Sequence, residues 1–433
     1  MAKLTEVFGV SPEDVLSYVE RKNIDEKFKG SLQSGKHIVV YGASKQGKTA
    51  LVSRHLPYDN NICVRLTPNT NISDIYSSIL RQLDIEIEES NSTEQSSGKS
   101  ATVGIKAKAK IWLIGEGEAS ASGQLTSGDK AKKQYVTIPF NLAVAQDVSE
   151  LLKKVSFDKK IILENFHYLD EEKQRELAFD LRTFQETKIL FVILGVWRKK
   201  DRLRNYCPDL TDRVDDIPVE PWEECDFKRA ILKGSKELNI EFSKAIIGEF
   251  ISNSFGSIGV LQELLKACCQ NAGVESTIEG DMLHINDATF SKDALAVKSE
   301  DYREIHQQSL ELLASGSITH SKGKEKMPLH LPYYLVRVIA KKGYDGIIHG
   351  LSRADITECI KAMHHRATDV RPGDISNLLH NISTLQFKKK LNPPLIDYDQ
   401  GKRILYAIDS TFFFFLRNCD LAEFEEELPS PLE

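Results

Sequence analysis

Eight consecutive residues near the start of the chain have the types and spacing that hold a phosphate chain. The segment from Gly42 to Thr49 reads Gly-Ala-Ser-Lys-Gln-Gly-Lys-Thr and matches the pattern G-x-x-x-x-G-K-[ST]. Glycines let backbone N–H groups wrap phosphate oxygens, the lysine neutralises the β- and γ-phosphates, and the threonine hydroxyl reaches Mg²⁺. We therefore predict ATP and Mg²⁺ as ligands. The predicted contacts are Gly42, Gln46, Gly47, Lys48 and Thr49.

The elements around this loop decide between a phosphate site and a chance glycine turn. Residues 36–41 form an apolar run typical of a buried strand, and a helical pattern follows from Lys48. This order places the phosphates at the positive end of a helix dipole. The flanking pattern therefore favours a phosphate-binding loop, which we call the P-loop.

A second candidate lies at the end of another apolar strand, residues 160–163, where Glu164 is followed by Asn165. A carboxylate here would hold the water shell of Mg²⁺, with an ordinary strand-end acid as the alternative. Related ATPases often place an acid at the position of Asn165 to activate water, and an amide cannot act as a base. Hydrolysis is therefore expected to be slow or to use another group. His167 and Asp170 are candidates, although a structural histidine and a helix cap are the commoner roles.

Strand-like runs alternate with helical patterns through the first half of the chain, which predicts a parallel α/β sheet. We predict a fold of the α/β class: a P-loop parallel-sheet ATPase core, an α-helical lid and a C-terminal winged helix-turn-helix. The core covers residues 1–221 with a β-hairpin insertion at about 87–135. The lid covers residues 222–313, and the winged-helix domain covers residues 327–420.

The insertion alternates small apolar residues with lysines and then with acids. Folding residues 103–125 back on themselves sets Lys110 opposite Glu116 and Lys108 opposite Glu118. Opposite charges across two strands stabilise such a register. We predict a protruding hairpin outside the folding core, which either contacts a partner or is a solvent-exposed insertion without a role.

The C-terminal part combines three helical segments with a short hairpin, which predicts a winged helix-turn-helix. Its basic side chains would line nucleic-acid phosphates, with Asn377 and His380 near base edges. A lysine run is also typical of a solvated face, and winged helices also bind proteins, so duplex DNA and a protein partner both remain open. The candidate nucleic-acid contacts are Arg371, Lys388, Lys389, Lys390, Lys402 and Arg403.

The segment Tyr18-Val19-Glu20-Arg21, followed by Asp25 and the P-loop, resembles the opening of signal-transduction ATPases with numerous domains (the STAND group). It is also similar to the archaeal replication-initiator ATPases, within the wider AAA+ class. The resemblance implies that Tyr18, Val19 and Arg21 line the adenine pocket, with plain packing of an N-terminal helix as the alternative. It covers about residues 11–272 without the insertion and, more weakly, the winged helix.

The same resemblance implies roles for two further segments. Arg213 resembles a conformation-reporting arginine that reaches the phosphate of a neighbouring subunit, which would make it catalytic in a homo-oligomer formed with ATP. A local salt bridge is the alternative. After a strand at residues 189–194, such ATPases often carry a polar residue that senses the γ-phosphate. This chain has Gly-Val-Trp-Arg at residues 195–198, so that function is absent or moved.

Composition bounds the remaining possibilities. The chain has 433 residues, a net charge of −6 and seven scattered cysteines without a C-x-x-C pair. This usage is typical of reduced thiols, so we expect a cytoplasmic protein without disulfides or zinc. The longest apolar stretch is too short to cross a bilayer.

Three functions follow as hypotheses. The leading one is an ATP-dependent molecular switch, in which nucleotide state sets assembly or partner binding through the winged helix and the hairpin. The second is a DNA-binding ATPase of the initiator or transposition-helper type. The third is a nucleotide-binding scaffold that does not turn over.

Overall fold

The computed structural model of the chain describes residues 1–10, 15–89, 106–112, 135–197, 200–316 and 327–432. Its first half alternates strands with helices. These elements are α1 (Leu4–Val7), α2 (Lys22–Leu32), β1 (His37–Gly42), α3 (Lys48–His55), β2 (Ile62–Arg65), α4 (Ile72–Arg81), β3 (Glu86–Glu89), β4 (Lys106–Trp112), β5 (Tyr135–Asn141), α5 (Ala145–Lys154), β6 (Ile161–Glu164), α6 (Glu171–Glu186), β7 (Phe191–Val196), α7 (Arg202–Tyr206) and β8 (Val214–Pro218).

The second half is mostly helical. Its elements are α8 (Glu224–Leu238), β9 (Ile240–Phe242), α9 (Lys244–Asn253), α10 (Ile258–Asn271), β10 (Leu283–Ile285), α11 (Ala288–Ala314), α12 (Leu331–Ile347), β11 (Leu351–Ser352), α13 (Arg353–Met363), α14 (Pro372–His380), α15 (Ile382–Lys388), β12 (Ile396–Asp399), β13 (Ile404–Ala407), α16 (Ser410–Asn418) and α17 (Leu421–Glu427).

The central sheet contains five parallel strands in the order β2-β6-β7-β1-β8. Alternate side chains of β1 enter opposite layers. Ile38 and Val40 pack with α2 and α3, whereas Val39 and Tyr41 join the larger core on the other face. Because both faces are covered, the strands read as continuous apolar runs. The carboxyl ends of all five strands lie at one edge, where the P-loop begins. The predicted parallel α/β core is confirmed.

The insertion forms a second, antiparallel sheet in the order β3-β4-β5. β4 is its central strand, paired with β3 on one side and β5 on the other. In this register Glu86 lies opposite Lys110, and Glu88 lies opposite Lys108. Lys108 and Lys110 of β4 are thus in register with acids, but these acids belong to β3, which precedes β4 in sequence.

The predicted pairing of residues 103–125 with themselves is therefore wrong for β4, because both edges of this strand are already paired. Glu116 and Glu118 lie outside the described residues. Ala107 and Ala109 are buried and belong to the main core. This strand is part of the packed core and not a protruding appendage.

The helices after the central sheet form a separate packed layer together with the N-terminus. Phe8 is buried against α8 at Gly234, where an added Cβ would lie 2.3 Å from the Phe8 ring. The strands β9 and β10 pair in parallel beside these helices. The first ten residues thus pack on the predicted lid, although the sequence prediction assigned them to the core.

The C-terminal region comprises α12 to α17 and an antiparallel sheet in the order β11-β13-β12. Ser352 caps α13 by accepting the Asp355 N–H at 3.1 Å. The N-cap position of α14 is Arg371, and Asp374 lies inside the first turn of this helix. The arrangement is consistent with a winged helix-turn-helix. Among the described residues, no helix combines the length and apolar character needed to span a membrane.

Candidate nucleotide site

The P-loop leaves β1 at Gly42 and ends at Gly47, the N-cap of α3. Both glycines have positive φ angles, of 155° and 80°. A Cβ at Gly42 would lie 2.6 Å from Val219, so only glycine fits this close approach. The N-terminus of α3 opens directly behind the loop, as an anion site requires. The strand–loop–helix context of the motif is thus confirmed, and its contacts to a nucleotide remain predictions.

The ammonium group of Lys48 lies under its own loop. Its Nζ donates to the carbonyl oxygens of Gly42 at 3.1 Å and Ala43 at 2.6 Å. Burial lowers the pKa of Lys48 to about 8, and the carboxylates of Glu220 and Asp409 offset part of this effect. Phosphate oxygens are stronger acceptors for an ammonium than neutral carbonyls. Lys48 is therefore placed to exchange loop carbonyls for phosphate oxygens.

Glu164 ends β6 beside the start of α3. Its Oε1 lies 3.5 Å from the Thr49 hydroxyl and accepts a hydrogen bond from the Tyr58 hydroxyl at 2.7 Å. Its Oε2 accepts the Nε–H of Arg65 at 3.1 Å. Burial and the Glu164 charge raise the pKa of Tyr58, so its hydroxyl stays a donor.

This donor set fits Mg²⁺. A threonine hydroxyl and a carboxylate are hard oxygen donors of the kind that hold Mg²⁺ beside substrate phosphates, where the ion would neutralise charge on the β- and γ-phosphates. Thr49 and Glu164 are the residues that would hold it, either directly or through its water shell.

The residues after Glu164 offer no strong base. Asn165 has a left-handed conformation (φ 60°) and begins a short 3₁₀ turn that carries His167. Burial and the nearby Lys48 charge lower the pKa of His167 to about 3, so its imidazole is neutral at physiological pH. Asp170 caps α6 by accepting the Lys173 N–H at 2.9 Å. The alternative role considered for Asp170, a helix cap, is the one it occupies.

The segment that precedes α2 lies at the other end of the same site. The Tyr18 hydroxyl donates to Asp25 at 2.5 Å, and burial raises the pKa of Tyr18. Arg21 donates to the carbonyl of Val219 at 2.6 Å, and its guanidinium stacks over the Trp222 ring at 3.7 Å. Both side chains are thus fixed by internal partners.

A single cavity of about 550 Å³ joins the two ends. Its lining combines the adenine-pocket candidates with the motif residues and the end of β6. It includes Tyr18, Val19, Arg21, Gln46, Gly47, Lys48, Thr49, Glu164, Asn165 and His167. These positions are distant in sequence, and the fold brings them to one edge of the sheet.

The P-loop also contacts the helices that follow the sheet. The Lys45 carbonyl accepts the Gly259 N–H at 2.9 Å and the Ser257 hydroxyl at 3.3 Å. An added Cβ at Gly259 would lie 2.5 Å from the Lys45 Cβ. The backbone of α10 therefore approaches the loop so closely that a side chain at position 259 would clash with it. The Trp222 indole N–H donates to the Gln46 carbonyl at 3.3 Å.

The side chain of Gln46 points away from the phosphate side of the loop and into the C-terminal region. It is 2% exposed, and its Nε2 donates to the Ser410 hydroxyl at 3.1 Å across 364 positions of sequence. Asp409, the N-cap of α16, places its carboxylate close enough to Lys45 to support the charge of that buried lysine. The C-terminal region therefore touches the P-loop directly.

Arg213 lies elsewhere. It precedes β8, so it is at the amino end of the sheet, about 20 Å from the P-loop at 3.3 Å per residue of β1. Its guanidinium pairs with Glu186 at 3.3 Å and donates to Gln185 at 2.8 Å. Within one chain, Arg213 is in a local ion pair and does not join the other catalytic candidates.

The basic side chains of the C-terminal region fall into two groups. Arg371 and Lys388 line one groove of about 720 Å³ together with Asn377, along the exposed face of α14 and α15. Lys402 and Arg403 are exposed at the turn between β12 and β13.

The other predicted contacts do not line that groove themselves, although Ser315, the partner of Lys389, does. Lys389 donates to the Ser315 hydroxyl at 2.7 Å, and Lys390 is exposed just after α15. His380 lines a different cleft, where α14 and α15 face α6 and α7 of the core. The structure therefore does not bring all the nucleic-acid candidates to one surface.

Sequence reasoning missed Tyr58, Arg65, Trp222, Gly259 and Ser410. Arg65 had a signal, because a charged residue at the end of a strand marks the functional edge of a parallel sheet. Trp222 also had one, as a large aromatic directly after the last strand. Gly259 and Ser410 had none, because only tertiary packing brings them to the loop.

Comparison with known proteins gives similarity at the level of solved structures alone. No family model matches the chain, and none of the curated proteins matches it. It is similar to the Orc1 protein of Aeropyrum pernix, solved in complex with DNA (13% identity, TM-score 0.44, covering 97% of this chain and 98% of that one). It is also similar to the Walker-type ATPase PABY2304 of Pyrococcus abyssi (13%, 0.47, 92% and 96%). A RuvB variant of Thermotoga maritima matches at 10% identity and TM-score 0.38, covering 90% and 92%.

The class of the protein follows from its own architecture. A parallel sheet in the order β2-β6-β7-β1-β8, a phosphate-binding loop between β1 and α3, and an acid at the end of β6 define an AAA+-like P-loop ATPase fold.

Proposed function

We propose that this chain is an ATP-binding molecular switch that couples nucleotide state to the position of its C-terminal region, and so to assembly or partner binding. The observation that carries the proposal is the buried hydrogen bond from Gln46 to Ser410. It joins the P-loop to the first residue of α16 without an intervening element.

The geometry of the loop explains why this contact would respond to phosphate. Loop N–H groups turn toward a bound anion, so the carbonyls of the same peptides point the other way. Those carbonyls, at Lys45 and Gln46, are held by Gly259 and Trp222. A change in the loop on phosphate binding therefore shifts groups that are already bonded to the lid helices and to α16.

Slow turnover would suit such a switch. The amide of Asn165 has no basicity, and a histidine with a pKa of about 3 is a poor proton acceptor. Bound ATP would then persist as a marker of state, while Lys48 would stabilise the charge that develops during eventual hydrolysis, together with the Mg²⁺ that Thr49 and Glu164 would hold.

The test is hydrogen exchange in α16 with no nucleotide, with Mg-ADP and with a slowly hydrolysed Mg-ATP analogue. In the wild-type chain we expect exchange in Ser410–Asn418 to differ between these states. Gln46→Ala and Ser410→Ala should shrink that difference while leaving nucleotide binding in place. Ser309→Ala, a surface hydroxyl on α11, is the matched control. Identical exchange in all wild-type states would refute the switch.

A second candidate function, a DNA-binding ATPase, is favoured by the basic side chains exposed on α14, α15 and the β12–β13 turn. Phosphate contacts release counterions, so binding to duplex DNA should weaken steeply with salt. Lys402→Ala combined with Arg403→Ala should reduce both the affinity and the salt slope. Lys228→Ala, an exposed lysine on α8, should change neither. Salt-independent or absent binding would remove this candidate.

A scaffold that binds ATP without turnover shares the same site and differs only in chemistry. Phosphate release from bound ATP over hours, with and without duplex DNA, separates the two. No release under either condition would favour the scaffold.

A further inference from the structure

The cavity has a direction set by the order of strands in the sheet. At one edge, Arg21 contacts Val219, just after β8, and Tyr18 and Val19 line the cavity beside it. The P-loop follows β1, which neighbours β8. Glu164 ends β6, two strands further on. A nucleotide with its base beside Arg21 would therefore extend its phosphates past the P-loop toward β6 and the far edge strand, β2.

Arg65 is the last residue of that far strand. It is paired in register with Glu164, and its side chain lines the same cavity as Lys48 and Thr49. The Nε–H of Arg65 donates to Glu164 at 3.1 Å, while the side chain is 69% exposed. Within the described residues, its two terminal nitrogens have no other protein partner. Four N–H donors of a permanent cation are thus available at the distal end of the cavity.

The described residues at the carboxyl end of β7, the strand between β6 and β1, include no cationic side chain. Val196, which ends β7, and Trp197, which follows it, are apolar and buried, with Trp197 fully enclosed. Of the four lysines and arginines among the described residues that line the cavity, Arg65 is the one that is in register with Glu164 and bonded to it; the others are Arg21, Lys45 and Lys48. The charge needed at the distal phosphate is therefore offered from β2.

We propose that Arg65 determines specificity for ATP over ADP by contacting the terminal phosphate. The proposal rests on the nucleotide site proposed above. Mg²⁺ held near Glu164 would compete with the guanidinium for that carboxylate, which frees Arg65 to form a charge-assisted contact with phosphate oxygens. Mg-ADP would also bring the ion to Glu164, but it lacks the third phosphate that Arg65 would contact. The contact would thus distinguish the two nucleotides without altering the P-loop.

The competing explanation is that Arg65 only positions Glu164. Tyr58 separates the two roles, because its hydroxyl also binds Glu164 but carries no charge. Tyr58→Phe loosens the carboxylate and keeps the cation. Arg65→Ala removes the cation and keeps the second hydrogen bond of Glu164. A positioning role predicts the same result for both variants, and a phosphate contact does not.

The experiment measures dissociation constants for Mg-ADP and for a slowly hydrolysed Mg-ATP analogue by calorimetry, with thermal melts to check folding. Arg65→Ala should weaken the ATP analogue by roughly tenfold, a common size for a charge-assisted hydrogen bond, and ADP by less than about twofold. Arg65→Lys should recover part of the preference. Tyr58→Phe should leave the ratio unchanged. Arg54→Ala, an exposed arginine on α3 outside this cavity, is the matched control.

An unchanged ATP-to-ADP ratio in Arg65→Ala overturns the inference, as does an equal change in Tyr58→Phe. If Arg65→Ala fails to fold, Arg65→Gln, which removes the charge and keeps an extended polar side chain, decides by the same criterion. Failure of the nucleotide site on which this inference rests looks different, because the wild-type chain would then bind neither nucleotide.

Discussion

The two ends of the nucleotide cavity are built in different ways. The phosphate end comes mainly from one contiguous segment, residues 42–49, completed by Glu164 at a strand end. The base end is assembled from residues 15–21, from Val219 and Trp222 after the last strand, and from lid helices. One end is fixed by local backbone geometry and the other by tertiary packing.

This difference separates two energetic roles. At the phosphate end, loop N–H groups and a buried ammonium act on charge, so single groups there carry large effects. At the base end, Arg21 and Tyr18 already have internal partners in Val219 and Asp25. We therefore expect the base end to contribute shape and apolar contact, with smaller effects from each residue.

The strongest test of the phosphate end is Lys48→Ala. Removing the ammonium should weaken ATP binding by about a hundredfold or more, because a charged hydrogen-bond partner of phosphate is lost. ATP-induced thermal stabilisation should disappear while the unliganded melting temperature stays close to wild type. Lys22→Ala, exposed at the start of α2, is the control. Undiminished stabilisation in Lys48→Ala would disprove the site.

Substitutions at the two adjacent residues at the end of β6, Glu164 and Asn165, should have very different effects on hydrolysis. Glu164→Ala should lower single-turnover hydrolysis by about a hundredfold, because the carboxylate beside Thr49 is lost. Asn165→Ala should change the rate little, since the amide supplies no base. Asn165→Glu should raise the rate where the left-handed backbone at this position tolerates it.

The wild-type rate is the decisive value for this pair. A rate on the order of one per second or faster would show that another group activates water. The interpretation of the site as a slow switch would then be wrong.

Arg21 tests the base end. Arg21→Gln removes the bond to Val219 and the stacking on Trp222, and should weaken ATP and ADP alike by about tenfold. Binding of inorganic triphosphate should stay at the wild-type level, because it does not use this end. Equal losses of affinity for triphosphate and ATP would contradict the proposed difference between the two ends of the cavity.

The contrast between the two ends also explains what the sequence could predict. The P-loop, the strand before it and Glu164 follow from local patterns, and the parallel sheet follows from alternating apolar strands and helices. The contact of Gln46 with Ser410 spans 364 positions and has no local signature. The role of Arg65 depends on which strand lies beside β6, which sequence periodicity does not specify.

The error in the insertion and the unpredicted placement of Arg213 have the same physical origin. Charge complementarity predicted that the lysines of β4 pair with acids, but it could not choose between Glu86 before the strand and Glu116 after it. Likewise, the position of Arg213 before a strand did not reveal that this strand begins at the edge of the sheet opposite the P-loop. In both cases the charge of the residue indicated a partner of opposite charge, but the topology of the fold decided which residue is the partner.

The closure of the lid on the loop is tested at Gly259. In Gly259→Ala the new Cβ would lie 2.5 Å from the Lys45 Cβ and 2.7 Å from its carbonyl oxygen. We expect α10 to move off the loop, which should weaken nucleotide binding by roughly fivefold, the lower range for overpacking. Gly248→Ala in α9 meets nothing within 4 Å and should stabilise that helix by about 0.5–1 kcal/mol. Equal nucleotide affinity in both variants would show that the lid contact is incidental.

The smallest expected effect is the pH dependence of binding. The pKa of Lys48 is lowered to about 8 by burial, and bound phosphate favours the charged form, so the pKa rises in the complex. Affinity should therefore be greatest below pH 8 and fall as the free lysine loses its proton, by about fourfold between pH 7 and pH 8.5. In the unfolded chain Lys48 keeps the normal lysine pKa, so below that pKa its charged form destabilises the unliganded fold. The stability of the unliganded protein should therefore rise between pH 7 and pH 8.5, while the affinity for nucleotide falls. Calorimetric titrations paired with thermal melts would reveal these opposite trends, and a flat affinity profile would show that Lys48 keeps its proton throughout.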